Sequence, residues 1–278
     1  MFVHVVGRVP FGASDSAFWT HAEAADRLWL RLRDAFPDAL AACIVPGYVH
    51  LLVPSCFEPR GSAFFRGVPA ASALALLLTS GSWQGGSRAA WTPVSCRRVE
   101  PDVALTEALS LHERPCKLGL VSDPVLWPWS TERDLWGARL EPWVTAERLT
   151  RCAGRGAVAE GVAELRKYTP PEPGLSLVGN PLRAARFARC EEAHVLVSAV
   201  DAACVYVPRA LRNALAVHFL QARGFDEVRW VAERIGVAHA SVERILRAAP
   251  PPGLACVARC AADPRFFSRP RDTDLRAG

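Results

Sequence analysis

The order of strand-like and helix-like patterns in the first 112 residues most constrains the fold of this chain. Short runs rich in β-branched and apolar residues alternate with segments whose apolar residues recur at helical spacing. This order predicts β-α-β-β-α-β followed by a helix. Beyond about residue 181 the pattern is wholly helical. We therefore expect an α+β domain and then an all-helical domain, with the first seven elements at residues 2–9, 17–36, 40–45, 48–53, 69–79, 94–99 and 101–112.

Glycine and proline positions indicate where the two domains separate. A poorly patterned stretch is punctuated at residues 154–156 and 170–174. We predict an α+β domain over residues 1–145, a linker over 146–180, a helical domain over 181–262 and a flexible tail over 263–278.

Composition excludes several classes of protein. Half of the 278 residues are hydrophobic, yet no apolar run approaches the ~20 residues that span a bilayer. The N-terminus is strand-like and lacks the pattern of an export signal. The nine cysteines are odd in number, scattered and without a Cys-x-x-Cys pair, which favours free thiols in a reducing compartment. We expect a cytoplasmic protein with no membrane partner.

The positive charge of the chain is concentrated in its last third. Residues 1–180 carry 18 basic and 18 acidic side chains, whereas residues 181–278 carry 15 basic and 10 acidic ones. A basic domain attached to a neutral one indicates attraction to phosphate. An ordinary arginine-rich surface is the alternative interpretation.

Residues 47–53, with the sequence GYVHLLV, form the most informative motif. In an extended strand, residues two apart point to the same face, so a His-x-His pair there can hold one divalent cation with a third ligand. This chain has Tyr48 in the first of the two places and His50 in the second.

Two sequence blocks carry a resemblance to a known family. Residues 44–53, IVPGYVHLLV, resemble the "MPNHVHLLV" signature of single-tyrosine HUH transposases, particularly the REP-associated tyrosine transposases. Residues 110–121 and 123–131, SLHERPCKLGLV and DPVLWPWST, are similar to that family's "YIHLNPVRAGLV" and "DPEDYPWSS". The resemblance covers residues 1–145 and implies a ferredoxin-like fold. It also implies metal-assisted attack of a helix-borne tyrosine on a DNA phosphate, giving a covalent 5′-phosphotyrosine.

The residues that carry the chemistry in that family are largely replaced here. The metal-binding histidines correspond to Tyr48 and His50, the nucleophilic tyrosine to Ser110, and a family asparagine to Arg114. A phenol with a pKa of ~10 is a poor ligand at neutral pH, and a serine without an adjacent base is a poor nucleophile. His112 lies on a different helix face from Ser110.

We therefore predict that the nuclease chemistry is lost and that no cofactor is required. Mg²⁺ or Mn²⁺ would be needed only if the site were active, with His50 as the one remaining histidine ligand. Two alternatives stay open: Tyr48 as a phenolate ligand, and Tyr48 as a relocated nucleophile beside His50.

Residues 228–246 fit a helix-turn-helix, preceded by a helix predicted at 208–223. Ala232 suits the crossing of the two helices, Gly236 the turn, and Val242 and Ile245 the docking of the second helix. The region is also similar to the DnaA-type helical domain attached to some REP-associated transposases. The candidate DNA-binding residues are His239, Ser241, Arg244, Arg247 and Arg212, while Glu243 would repel phosphate unless it reads a cytosine.

These observations predict a DNA-binding protein derived from a single-tyrosine transposase, acting as a regulator or as an accessory DNA-recognition subunit. The expected partner is DNA, with hairpin and single-stranded forms both open, and a homodimer or larger assembly stays open. One alternative is an active metal-dependent single-strand nuclease or transposase. Another is a protein-interaction scaffold, which exposed tryptophans among Trp127, Trp129, Trp136 and Trp143 would favour.

Overall fold

A computed structural model describes residues 1–8, 22–55, 69–79, 94–152 and 186–266. These residues form a mixed α+β structure with one four-stranded antiparallel sheet. They divide into two units. The first holds the described residues up to 135 together with 143–152, and the second holds 136–142 together with 186–266. Within the described ranges, no helix combines the length and apolarity needed to span a membrane.

The sheet consists of the four strands that the sequence pattern predicts. They are β1 (Phe2–Arg8), β2 (Ala41–Val45), β3 (Tyr48–Pro54) and β4 (Val94–Val99). Their order across the sheet is β2-β3-β1-β4, and every neighbouring pair is antiparallel. Gly47 joins β2 to β3 with a φ of 80°, a conformation that glycine adopts without steric cost.

The helices of the first unit also follow the predicted order. Residues 101–112 divide into a 3₁₀ turn at Pro101–Val103 and a helix, and residues 17–21 of the first predicted helix lie outside the described residues. The helices are α1 (Ala22–Ala35), α2 (Ala70–Thr79), α3 (Ala104–His112), α4 (Arg114–Lys117), α5 (Glu132–Leu135) and α6 (Ala146–Cys152).

Helices cover both faces of the sheet. Helix α2 packs so closely on β1 that a Cβ atom at Gly7 would lie 2.6 Å from Leu78 Cδ1. Because side chains alternate along a strand, His4 lies on the opposite face, where it contacts Glu107 of α3. Helix α3 therefore covers the face of the sheet that carries His4.

A short segment after the 3₁₀ turn at Pro124–Leu126 runs along the outer edge of β2. Cys43 pairs with Ser130 in an antiparallel bridge, and the Ile44 N–H donates to the Trp129 carbonyl at 2.9 Å. The Trp127 indole is fully buried and donates to the Ile44 carbonyl at 2.6 Å. The edge strand is thus paired and covered, which protects it from pairing with another chain.

Replacing Trp127 with phenylalanine is expected to lower the free energy of unfolding by about 1–2 kcal/mol, because Ile44 loses its buried donor and a small void forms. Urea denaturation followed by circular dichroism measures the change. Trp230→Phe is the control, since Trp230 is half-buried and stacks on Phe225 with centroids 5.2 Å apart, a contact that phenylalanine can keep. Equal midpoints for both variants would contradict this account of the edge.

The described residues of the second unit form five helices around an apolar core. They are α7 (Arg186–Ala203), α8 (Arg209–Ala222), α9 (Val228–Ile235), α10 (His239–Arg247) and α11 (Leu254–Ala262), followed by a 3₁₀ turn at Pro264–Phe266. Helix α8 packs against α7, α9, α10 and α11. Residues at the centre of this unit include Leu196, Val200, Leu215, Phe219, Val242 and Val257, each at most 4 % exposed.

The unit boundary differs from the predicted one. Residues 136–142, which we expected in the first domain, belong to the helical unit: Leu140 N–H donates to the Ala203 carbonyl at 2.9 Å, and Arg259 donates to the Trp136 carbonyl at 3.0 Å. Helix α6 occupies the start of the predicted linker and buries Leu149. Phe266 of the predicted tail is 2 % exposed, while residues 153–180 and 267–278 lie outside the described residues.

Candidate functional site

Four side chains from four elements (β1, β3, β4 and α3) form a histidine cluster, which comprises His4, His50, Arg97 and Glu107. His4 Nδ1 lies 2.7 Å from Glu107 Oε1, and the Arg97 guanidinium lies 2.7 Å from the same oxygen. His4 Nε2 lies 3.3 Å from His50 Nδ1. Both imidazoles are at most 5 % exposed, whereas Arg97 is largely exposed on the edge strand β4. The cluster is therefore a buried polar chain with a solvent-facing arginine at one end.

The contacts fix the proton positions along this chain. A carboxylate only accepts hydrogen bonds, so His4 must donate through Nδ1 to Glu107. Neutral His4 then carries its lone pair on Nε2 and accepts from the Nδ1–H of His50. His50 then has its proton on Nδ1 and its lone pair on Nε2. The Glu107 carboxylate thus sets the tautomer of His4, and His4 sets that of His50.

Burial and neighbouring cations keep both imidazoles neutral. Burial lowers the pKa of His50 to about 3, and the positive charge of Arg114 acts in the same direction. Burial also lowers the pKa of His4 and outweighs the opposing effect of Glu107. Burial, the largest single effect, raises the pKa of Glu107, but the hydrogen bonds and charge interactions with Arg97 and His4 together outweigh it, so the pKa lies below its ordinary value. At neutral pH the His4–Glu107 contact is thus a hydrogen bond to an ionised carboxylate.

The residues around His50 do not fit a divalent cation. Tyr48 lies on the same strand face, with ring centroids 6.2 Å from His50, but 47 % of it is exposed. The guanidinium of Arg114 is close enough to lower the pKa of His50, and a fixed positive charge there opposes a second cation. No trio of His, Cys, Asp or Glu side chains arranged to hold a metal ion occurs in the described part of the chain.

Ser110 lies on α3, between Glu107 of the histidine cluster and Arg114 at the start of α4. Because the three residues are three and four positions apart, they lie on the same side of the helix. Within the described ranges, no hydrogen bond links Ser110 to a histidine. His112 is engaged elsewhere, with Nδ1 2.7 Å from Glu132 and Nε2 2.8 Å from Thr131. This agrees with the expectation that His112 does not serve Ser110 as a base.

The second candidate region is the helix pair α9–α10. The two helices meet at Gly236, whose φ of 72° is the left-handed conformation that the sequence predicts there. Val231, Ala232 and Val242 are buried, and Ile245 is half-buried. The left-handed turn at Gly236 and the burial of Ala232 and Val242 are as predicted, whereas a helix-turn-helix that contacts DNA stays a prediction.

Helix α10 presents a mixed but mainly basic outer surface. His239, Arg244 and Arg247 are exposed, while Ser241 is half-buried. Glu243 lies between its neighbours on the next turns, 3.7 Å from His239 Nδ1 and 3.4 Å from Arg247. These exposed contacts are weak, so Glu243 partly offsets the charge of Arg247 without immobilising it. We call His239, Ser241, Arg244 and Arg247 the α10 surface.

Arg212 is not part of the α10 surface. It lies on α8, half-exposed, with its guanidinium 3.7 Å from the Asp201 carboxylate of α7. It lines a cleft between these helices. Arg212 therefore lies in the α7–α8 cleft, apart from the other four candidate DNA-binding residues, which are all on α10.

Among the described residues of the first unit, the tryptophans are buried and form no exposed aromatic surface. Trp127, Trp129 and Trp143 are at most 6 % exposed, and Trp143 meets Trp29 edge-on at 5.1 Å. Trp136 is half-buried in the second unit, where it contacts Phe266. A protein-interaction scaffold would be favoured by exposed tryptophans, but three of these four are buried in the core and Trp136 is half-buried.

Sequence reasoning missed three of the four residues of the histidine cluster. His4, Arg97 and Glu107 lie on different elements, and their meeting depends on the strand register, in which His4 pairs with Leu52 and Arg97. Nothing in a single sequence specifies that register. The one available signal was His4 itself, a polar side chain within a strand whose neighbours are apolar.

No protein-family model, no curated protein and no solved structure matches this chain. The resemblance to single-tyrosine transposases therefore rests on the sequence blocks at residues 44–53, 110–121 and 123–131.

Proposed function

We propose that this protein binds DNA through α10 and that it does not cleave or transfer DNA strands. The observation that carries the proposal is the α10 surface: exposed arginines on a helix that follows a tight, glycine-closed turn and is docked by a buried Val242. A helix held in this way can enter a DNA major groove, with arginine reaching base edges or phosphates. The basic surplus of residues 181–278 adds long-range attraction.

The first unit supports a related proposal, that of a ferredoxin-like transposase domain whose chemistry has been lost. The strand order β2-β3-β1-β4, with all neighbours antiparallel, agrees with that fold. Tyr48 and Ser110 stand at the positions where the family resemblance would require a ligand and a nucleophile. The protein then acts as a regulator, or as an accessory DNA-recognition subunit of a larger assembly.

The decisive experiment measures binding of the full chain to labelled duplex and hairpin DNA by fluorescence anisotropy at about 0.1 M salt. We expect saturable binding whose affinity falls steeply as salt is raised, because phosphate contacts release counterions. Binding no stronger than that of a neutral protein of similar size would overturn the proposal.

Glu243→Gln is expected to tighten DNA binding by roughly 3- to 10-fold at low salt. The substitution removes a carboxylate that repels phosphate and that lies within 3.7 Å of both His239 and Arg247. Glu233→Gln is the matched control, since Glu233 is equally positioned one turn from an arginine but lies on α9. An unchanged or weaker affinity for Glu243→Gln would place the DNA contact elsewhere.

An active strand transferase is the second candidate, and the exposed phenol of Tyr48 beside His50 is the observation that favours it. Incubating the protein with a fluorescent hairpin oligonucleotide and Mn²⁺ tests it on a denaturing gel. We expect no covalent adduct. His50 is hydrogen-bonded to His4, and the positive charge of Arg114 nearby opposes binding of a cation. An adduct that disappears in Tyr48→Phe or Ser110→Ala would reverse this conclusion.

A further inference from the structure

A cleft of about 240 Å³ lies among the helices of the second unit, away from the α10 surface. Four of its lining residues are aliphatic: Val197 and Val200 from α7, Ala216 from α8, and Ile235 at the end of α9. The volume exceeds the ~150 Å³ of an apolar cavity that accommodates benzene. This is room for a small organic molecule, and the aliphatic residues suit an apolar body.

The remaining lining residues are polar and carry a net positive charge. Arg209, Arg212 and Asn213 share one face of α8, being three and four residues apart, and Asp201 lies on α7. The Arg212 guanidinium lies 3.7 Å from the Asp201 carboxylate, a loose contact between partly exposed side chains. Two guanidinium groups and one carboxylate thus line the cleft, so its lining is complementary to a single additional negative charge.

We propose that this cleft binds a small monocarboxylate with an apolar body. A guanidinium fork matches a carboxylate in geometry, and the Asn213 amide supplies a further donor. The aliphatic lining residues disfavour a bare inorganic anion, and the net charge of +1 in the lining disfavours a dianion. This assignment gives Arg212 a role in ligand binding.

The position of Ile235 connects the cleft to the proposed DNA-binding helix. Ile235 is the last residue of α9 and directly precedes the left-handed Gly236, while α8 packs against both α9 and α10. A ligand lodged between α7, α8 and Ile235 would change the free energy of the α9–α10 arrangement. We therefore expect the carboxylate to alter DNA affinity, a consequence that rests on the proposed function.

Calorimetric titration of the full chain with benzoate, phenylacetate and hexanoate, each beside its neutral amide, tests the site without DNA. At least one carboxylate is expected to bind saturably, at least tenfold more tightly than its amide. Arg209→Gln and Arg212→Gln should each weaken that binding about tenfold and leave the amide unaffected. Val197→Phe narrows the cleft and should weaken both forms. Arg229→Gln, an exposed arginine outside the cleft, should change neither.

The outcomes separate the two proposals. The inference fails if none of the three carboxylates binds with a Kd below about 10 mM. It also fails if both arginine variants are folded by circular dichroism and still bind the carboxylate with unchanged affinity. Anisotropy with labelled DNA, with and without saturating carboxylate, then tests the coupling. Carboxylate binding without any DNA binding would overturn the proposed function alone. Carboxylate binding that leaves DNA affinity unchanged would overturn the coupling alone.

Discussion

The double variant Arg244→Glu/Arg247→Glu is expected to bind duplex DNA at least about 100-fold more weakly than the unaltered chain at roughly 0.05 M salt. Both arginines are exposed on α10, and reversing their charge changes the local charge by four units. Each lost phosphate contact also lowers the dependence of affinity on salt by nearly one unit of slope. The measurement is fluorescence anisotropy at several salt concentrations, which yields both the affinity and the slope.

A matched control separates a local contact from the effect of net charge. Arg27 and Arg31 are exposed on α1 of the first unit, and replacing both with glutamate changes the net charge by the same amount. This control should lose affinity by only a few-fold, through long-range attraction alone. Equal losses in the two double variants would mean that α10 makes no specific contact with DNA.

The secondary structure was predictable because each strand and helix carries its own periodicity. The strand at Val94–Val99 was predicted to the residue, and β2 and β3 to within one. Gly236 and Val242 were assigned correctly for a related reason: a tight helical turn needs a left-handed residue and a buried anchor, and both needs are local. Local requirements leave a mark on the sequence.

The histidine cluster and the unit boundary were not predictable in this way. Glu107 contacts His4 only because α3 packs on the sheet face that carries His4. His50 contacts His4 only in the observed strand register. Residues 136–142 join the helical unit through contacts with Ala203 and Arg259, which are far away in sequence. Long-range contacts of this kind have no compositional signature in a single chain.

The cluster also changes the interpretation of the motif at residues 47–53. From the sequence, His50 is a remnant of a cation site. In the structure it is the end of a hydrogen-bonded chain that begins at an ionised Glu107, and Arg114 supplies positive charge nearby. Three of the four ring nitrogens of the two buried imidazoles therefore have protein partners, which offsets much of the cost of burying them.

Burial of neutral His50 makes acid stability the second large expected effect. Its pKa falls from the ordinary value of 6.5 to about 3 in the folded chain because the imidazole is buried. Between those values the unfolded chain binds more protons than the folded one, so the free energy of unfolding falls as pH falls through this window. The lowered pKa values of His4 and Glu107 act with the same sign. From pH 7 to pH 4.5, His50 alone accounts for a loss of about 2–3 kcal/mol.

Urea unfolding of wild type and His50→Leu at pH 7 and pH 4.5 measures this loss. Leucine cannot be protonated, so the variant should lose about 2–3 kcal/mol less than wild type over the same interval, whatever its stability at pH 7. His194→Leu is the control, because His194 is exposed on α7 in the second unit and the substitution should leave the pH dependence unchanged. If wild type and His50→Leu lost equal stability on acidification, His50 would titrate normally in the folded protein, and the neutral hydrogen-bonded chain from Glu107 through His4 to His50 would be an incorrect description of this face of the sheet.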